Sequence, residues 1–206
     1  MEQENLAFIV GGDTHLFHGT AVQGIDALKK GIEDTLGTGV YFTSDRKAAE
    51  GYARVRNGRG GHPTVYEAVA PDAKFVDLRD IPTLDAVMQG YLEFLPDWLE
   101  RDYPEKETTN PNDKRSRRLW GKKIARITQV IQNKRYSPGT IRNVAYEMPW
   151  LFSEYIQSLG FDGLIGLEGG ESRNGVTIGN HDSWVVFDPE KTQIRIIEEK
   201  PVEKCE

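Results

Sequence analysis

Three short segments, far apart along the chain, carry the side chains best suited to chemistry. They are Leu16-Phe-His18-Gly19-Thr20, then Gly37-Thr-Gly39-Val-Tyr41-Phe42 with Ala48, Ala49 and Tyr52 behind it, and last Asp182-Ser183-Trp-Val-Val-Phe187-Asp188-Pro. An imidazole followed by glycine sets a titratable nitrogen beside main chain that a flat group can approach closely, because no Cβ stands in the way. Two phenol rings can sandwich a cationic aromatic ring, where cation–π attraction and apolar burial are each worth ~1–2 kcal/mol in a desolvated cleft. A carboxylate stabilises positive charge that develops as a bond breaks, and it can also take a proton from an attacking group. In and just before the third segment, Asp182 and Glu171 carry carboxylates and Ser183 a hydroxyl. Alternation along a strand turns Asp182 away from the face of Ser183 unless a bulge beside Gly179-Asn180 re-aims it.

A fourth feature is electrostatic. Lys114 to Arg135 holds nine lysines and arginines and no acid, with Trp120 among them. Arg117, Arg118, Lys122 and Lys123 are suited to phosphate contacts and Trp120 to stacking on a base. The simpler reading is a solvated helix face, and the acidic stretch from Asp85 to Glu107 is available to pair with it.

The elements that must position these groups follow from pattern. Residues 6–18 read as a strand region broken at Gly11-Gly12-Asp13, and Ala21 to Lys30 as a short amphipathic helix, since Val22, Ile25 and Leu28 recur every three residues before Gly31. Val40-Tyr-Phe-Thr43 reads as a buried strand, with Ser44 or Asp45 capping a helix that places Ala48, Ala49, Tyr52 and Val55 on one face. Arg54 to Gly61 reads as a loop, and Thr64–Val69 and Lys74–Leu78 as short strands of an antiparallel sheet. Residues 82–158 carry helical periodicity, ending in a helix between Pro149 and Gly160. Asp162–Ile165, Ser183–Phe187 and Gln193–Ile197 read as the last strands, with a loose charged tail from Glu198. The expected class is α+β, as a single domain over residues 1–206 with 82–158 a helical insertion within it.

Composition narrows the function classes. A net charge of −6 argues against a generic polyanion binder. Cys205 is the only cysteine, which leaves no internal disulfide framework or thiolate cage, and the four histidines show no metal-ligand spacing, so no metal is expected. No apolar run approaches the ~20 residues of a membrane span, and the acidic start differs from a secretory signal, so the expectation is a cytoplasmic protein with no membrane partner.

The three segments together resemble the ADP-ribosyltransferase family, and more narrowly the branch shared by diphtheria toxin and the poly(ADP-ribose) polymerases. Its signature is a His, a Tyr and usually a Glu on three separate strands. The similarity covers roughly residues 14–78 and 158–197. It implies a split antiparallel β-sandwich with NAD⁺ as co-substrate in its cleft. On that likeness, His18 bonds the ribose of the adenosine half, Gly19 offers main chain to the nicotinamide carboxamide, and Tyr41 and Tyr52 sandwich the nicotinamide ring. Thr20 and Phe42 flank these positions. Ala49 stands where many members carry a serine that bonds the carboxamide, and Ser183 stands where the catalytic glutamate usually is, so the resemblance makes Asp182 the first candidate for the carboxylate, Glu171 the second, and Ser183, as a hydrogen-bonding partner of the ribose, the third. Loss of that glutamate is associated in this branch with single transfer rather than chain elongation, so the resemblance implies mono-ADP-ribosylation of a macromolecular acceptor, a protein or a nucleic acid.

Leu159-Gly-Phe-Asp-Gly-Leu-Ile165 is similar to a helix-to-strand junction of phage- and bacterium-encoded members. That likeness implies a toxin, or a phage modifier of host machinery, and a toxin in turn implies an antitoxin or other neutralising partner. Two other readings stay open: a catalytically inactive NAD⁺-binding module of the same fold, and an interaction protein whose helical insertion is the working surface.

Overall fold

The computed structural model describes residues 6–29, 35–56, 61–101, 114–169, 171–173 and 176–202. The chain is α+β. One sheet has five strands in the order β1 (Phe8–Val10), β5 (Lys74–Asp77), β6 (Gly163–Glu168), β9 (His181–Val186) and β3 (Val40–Phe42). A second has three, β10 (Arg195–Pro201), β4 (Thr64–Val69) and β2 (Leu16–Thr20), and β7 (Glu171–Arg173) pairs with β8 (Val176–Ile178) as a ribbon. The pairings are antiparallel except β5 with β6, which run parallel. That exception follows from what separates the two strands in sequence: a parallel pair needs a long crossover, and the helices supply it.

Period-2 alternation sorts the side chains into layers. Val40, Phe42, Ile165, Trp184 and Val186 turn to one face of the large sheet and pack with Leu16, Ala68 and the partly buried Ile196 of the small sheet. Tyr41, Leu164 and Val185 turn to the other face and meet the helical layer. The sheets touch where Phe17 and Thr43 exchange main-chain hydrogen bonds of 2.8 and 3.0 Å.

The helical layer is α2 (Ile81–Arg101), α3 (Lys114–Gln132), the single turn α4 (Arg142–Ala145) and α5 (Pro149–Ser158), inserted between β5 and β6. In α2, Leu84, Val87, Met88, Tyr91, Leu95 and Trp98 form one buried stripe. Asp80 caps it by accepting from the Thr83 N–H at 3.0 Å. Pro149 begins α5 and Gly160, at φ 82°, ends it. Helix α1 (Arg46–Arg56) covers the outer face of the small sheet, with Ala49 and Ala53 against Val65 and Phe17.

Several elements differ from what the pattern predicts. Residues 21–29 are not helical. Gly24 has φ 69°, its N–H is held by Glu199, the Ile25 N–H by the Tyr66 hydroxyl, and Leu28 is buried by an irregular segment rather than a helix face. Arg54 to Arg56 complete α1 instead of opening a loop, while residues 57–60 lie outside the described residues. The stretch from Glu198 to Pro201 is not loose: it continues β10 beside β4. The glycine-rich stretch before Asp182 forms the ribbon β7–β8. No bulge re-aims Asp182, because the β6–β9 register runs without a shift from Gly163↔Val186 to Glu168↔His181.

Candidate functional site

His18 lies on β2 opposite Tyr66, with Leu16 and Thr20 on the same face. Its Nδ1 is 2.8 Å from the Tyr41 carbonyl oxygen. A carbonyl only accepts, so Nδ1 carries the proton and Nε2 keeps a lone pair. Burial pulls the His18 pKa down to about 4, the bond to Tyr41 opposes this, and the nearby Arg56 cation lowers it further, so the ring is neutral at pH 7. Phe42, buried in the inter-sheet core, meets the His18 ring edge-on at 5.8 Å.

His18 and Tyr41 line a cavity of about 390 Å³ together with Thr20, Ile25, Leu28, Lys29 and Arg56. It therefore offers an imidazole acceptor and two cationic side chains. Tyr41 belongs to both sides of β3. Its carbonyl holds His18, while pairing with Val185 turns its ring to the opposite face of the sheet. There its hydroxyl donates to the Gly37 carbonyl and accepts from the Leu36 N–H, each at 2.7 Å, so the ring is fixed at both ends.

That ring face also holds Ser183, His181 and Glu168. Antiparallel pairing sets Gly166 opposite Ser183 and Glu168 opposite His181, and cross-strand partners point the same way. Ser183 is buried and donates to Glu168 Oε2 at 2.7 Å, and Thr35 donates to Glu168 Oε1. His181 Nδ1 donates to the Gly179 carbonyl at 2.9 Å, and its Nε2 is hydrogen-bonded with the Tyr52 hydroxyl at 3.3 Å. Their rings meet edge-on at 5.4 Å. Tyr52 does not line the cavity around His18; it joins the site on the ring face, through His181.

Asp182 occupies the reverse face of β9. It accepts from Trp184 Nε1 at 2.8 Å, the Ser44 N–H at 3.1 Å, the Ser44 hydroxyl at 2.7 Å and the Thr43 hydroxyl at 3.1 Å, and Arg79 stands 3.7 Å away. Burial works against its ionisation, but these donors outweigh it and hold the carboxyl below its ordinary pKa.

Gly19 is explained by packing. A Cβ there would sit 1.9 Å from the Ala49 carbonyl oxygen, so glycine is what lets α1 lie on β2. Ala49 itself is buried against the small sheet. On α3, Lys122 is exposed, and Lys123 sits 4.8 Å over the Trp120 ring. Trp120 is buried edge-on against Trp150 and so is not free to stack on a base. Lys134 pairs with Asp85 at 3.0 Å, as the neighbouring acidic stretch suggests. The side chains of Arg117, Arg118 and Glu171 lie outside the described residues.

The groups that pattern reading missed are Glu168, His181, Arg56 and Lys29. Register is the signal for Glu168: it is the residue that an antiparallel β6–β9 ladder sets next to Ser183. Among the described residues no cluster of three or more His, Cys, Asp or Glu is arranged to hold a metal, and no helix is long and apolar enough to cross a membrane. No family model, curated protein or solved structure matches the chain.

Proposed function

We propose that this chain is an NAD⁺-dependent mono-ADP-ribosyltransferase acting on a macromolecule. The observation that carries the reading is the 2.8 Å bond joining His18 to Tyr41 at the mouth of a cavity that also holds Arg56. It supports the reading because a neutral imidazole with a free Nε2 suits a ribose hydroxyl donor, and Arg56 and Lys29 suit a pyrophosphate. The cavity is sized for one half of a dinucleotide, and the other half would pass to the ring face that bears Tyr41, Ser183 and Tyr52.

The chemistry then uses groups already fixed in place. Tyr41 is tied at its hydroxyl and its carbonyl, and Tyr52 through His181, so little ordering is left for the moment of reaction. The C1′–N glycosidic bond breaks and its electron pair leaves with nicotinamide, which becomes neutral. C1′ gains oxocarbenium character and bonds to the acceptor's nucleophile, which gives up its proton. The resemblance of the three segments supports the split-sandwich ADP-ribosyltransferase architecture, and with it a bacterial or phage conflict setting and an antitoxin as partner.

Labelled NAD⁺ in a whole-cell extract, followed by separate protease and nuclease digestion, tests the proposal. Label that survives on one polymer supports transfer and names the acceptor class. No label on either polymer and no NAD⁺ consumption would leave a binding or interaction module instead.

A further inference from the structure

On the transferase reading, Ser183 stands where the resembled family carries its acid, and a serine cannot balance a developing cation. The deficit is met across the ladder. We propose that Glu168, on the neighbouring strand β6, is the catalytic carboxylate and that Ser183 is its positioning residue. The inference rests on the transferase reading above and names the group on which its bond-breaking step depends.

Four observations carry it. Glu168 lies on the ring face, opposite His181 and beside Ser183, so it shares that face with the ring of Tyr41. Both of its carboxylate oxygens are held by neutral hydroxyls, Oε2 by Ser183 at 2.7 Å and Oε1 by Thr35, which fixes its direction without cancelling its charge. Among the described residues no lysine or arginine forms an ion pair with it, whereas Asp182 has Arg79 at 3.7 Å. And Glu168 is partly exposed while Ser183 is buried, so a ligand on this face meets the carboxylate rather than the hydroxyl. A fixed anion held by neutral donors is the arrangement that lowers the energy of an oxocarbenium-like centre.

In the step itself, the glycosidic bond to nicotinamide breaks with its electron pair leaving on the nicotinamide nitrogen. The Glu168 carboxylate faces the positive charge left on the ribose. The acceptor's nucleophile, or water when none is bound, forms the new bond at C1′, and its proton passes to Glu168 and then to solvent. Ser183 keeps its own proton and donates it in a hydrogen bond throughout, which is why it positions the carboxylate and does not replace it.

The test uses the full chain with NAD⁺ itself, following nicotinamide release and, separately, NAD⁺ binding by calorimetry. Glu168→Gln keeps shape and one hydrogen-bonding oxygen while removing the charge. The expected result is a fall on the order of 100-fold in kcat with NAD⁺ affinity unchanged. The double exchange Glu168→Ser with Ser183→Glu returns a carboxylate from the other side of the same 2.7 Å contact. Recovery of turnover above Glu168→Gln supports the assignment, because a purely structural role would not be rescued by moving the charge. Wild-type turnover with an equally active Glu168→Gln variant overturns the assignment and leaves the transferase reading standing. Loss of NAD⁺ binding in a Glu168→Gln chain that unfolds at the wild-type temperature also overturns it, assigning the residue to binding. A wild-type chain that neither binds nor consumes NAD⁺ sinks the transferase reading itself.

Discussion

The strands around β9 and the helical layer packed on the sheet handle polar groups differently. Around β9, donors and acceptors are matched: Asp182 has Trp184, Ser44 and Thr43, Glu168 has Ser183 and Thr35, and His181 has Gly179 and Tyr52. Further into the helical layer, the Tyr91 and Tyr155 hydroxyls and Trp98 Nε1 are buried with no hydrogen-bond partner among the described residues. Burial pushes both phenols above their ordinary pKa. The helices fill volume, with Tyr91, Phe94, Phe152 and Tyr155 in a ring-on-ring cluster at 5.1 to 6.4 Å, while the strands place polar atoms. Saturated polar groups mark the region where position matters, and orphaned ones mark where only bulk does.

Three measurements sharpen or break that contrast. The largest effect on stability is expected from Asp182→Asn, which puts an amide among donors arranged for an anion and should cost ~2–3 kcal/mol in urea unfolding. A loss near zero would show that Asp182 is a solvated strand-start residue and that the matching on this face is incidental.

His18 comes next. Its folded pKa of about 4 lies below its ordinary 6.5, so the unfolded chain takes up a proton that the folded chain refuses. Stability from this group is intact above pH 6.5 and falls as pH drops from 6.5 to about 4, then no further. Discounted for the ring's partial exposure, the loss is ~1–2 kcal/mol, read as the difference in unfolding free energy between wild type and His18→Gln across that range. A His18 proton NMR titration centred near 6.5 would mean that the ring is not buried as the structure has it, since burial is what lowers its pKa and the bond to Tyr41 opposes that.

The smallest effect is expected from Tyr91→Phe. Removing an unpartnered hydroxyl from an apolar layer should leave thermal stability unchanged or raise it by up to ~1 kcal/mol. A clear loss would mean that this hydroxyl has a partner and that the two regions are matched alike.

Much of the scaffold was legible in the chain. β-Branched and aromatic runs marked β3, β4, β5, β6 and β9, and Pro149 and Gly160 bounded α5, because each of those signals acts locally. Residues 21–29 misled because a three-residue apolar spacing also suits a segment laid irregularly along a cavity wall. The ribbon of Glu171–Arg173 and Val176–Ile178 is too short and polar to stand out from glycine-rich surroundings. At the site, His18 and Tyr41 were readable, but the imidazole meets only the Tyr41 carbonyl, the Tyr41 ring turns to the other face and Tyr52 stands apart from the cavity; Glu168 was not readable, since its relation to Ser183 exists only once two strands are in register. The Asp182 side was half-readable: alternation predicts its face, but its donors come from residues 43, 44, 79 and 184 and meet only in the folded chain.

The Phe17–Thr43 seam between the sheets is built from main-chain atoms alone. Exchanging either side chain leaves both donors and both acceptors in place, and even a proline at one position would remove only one of the two bonds. The gap across which an imidazole on one sheet faces an aromatic strand on the other is therefore insulated from drift in the side chains around it, and this part of the molecule can diverge widely while holding the same opening.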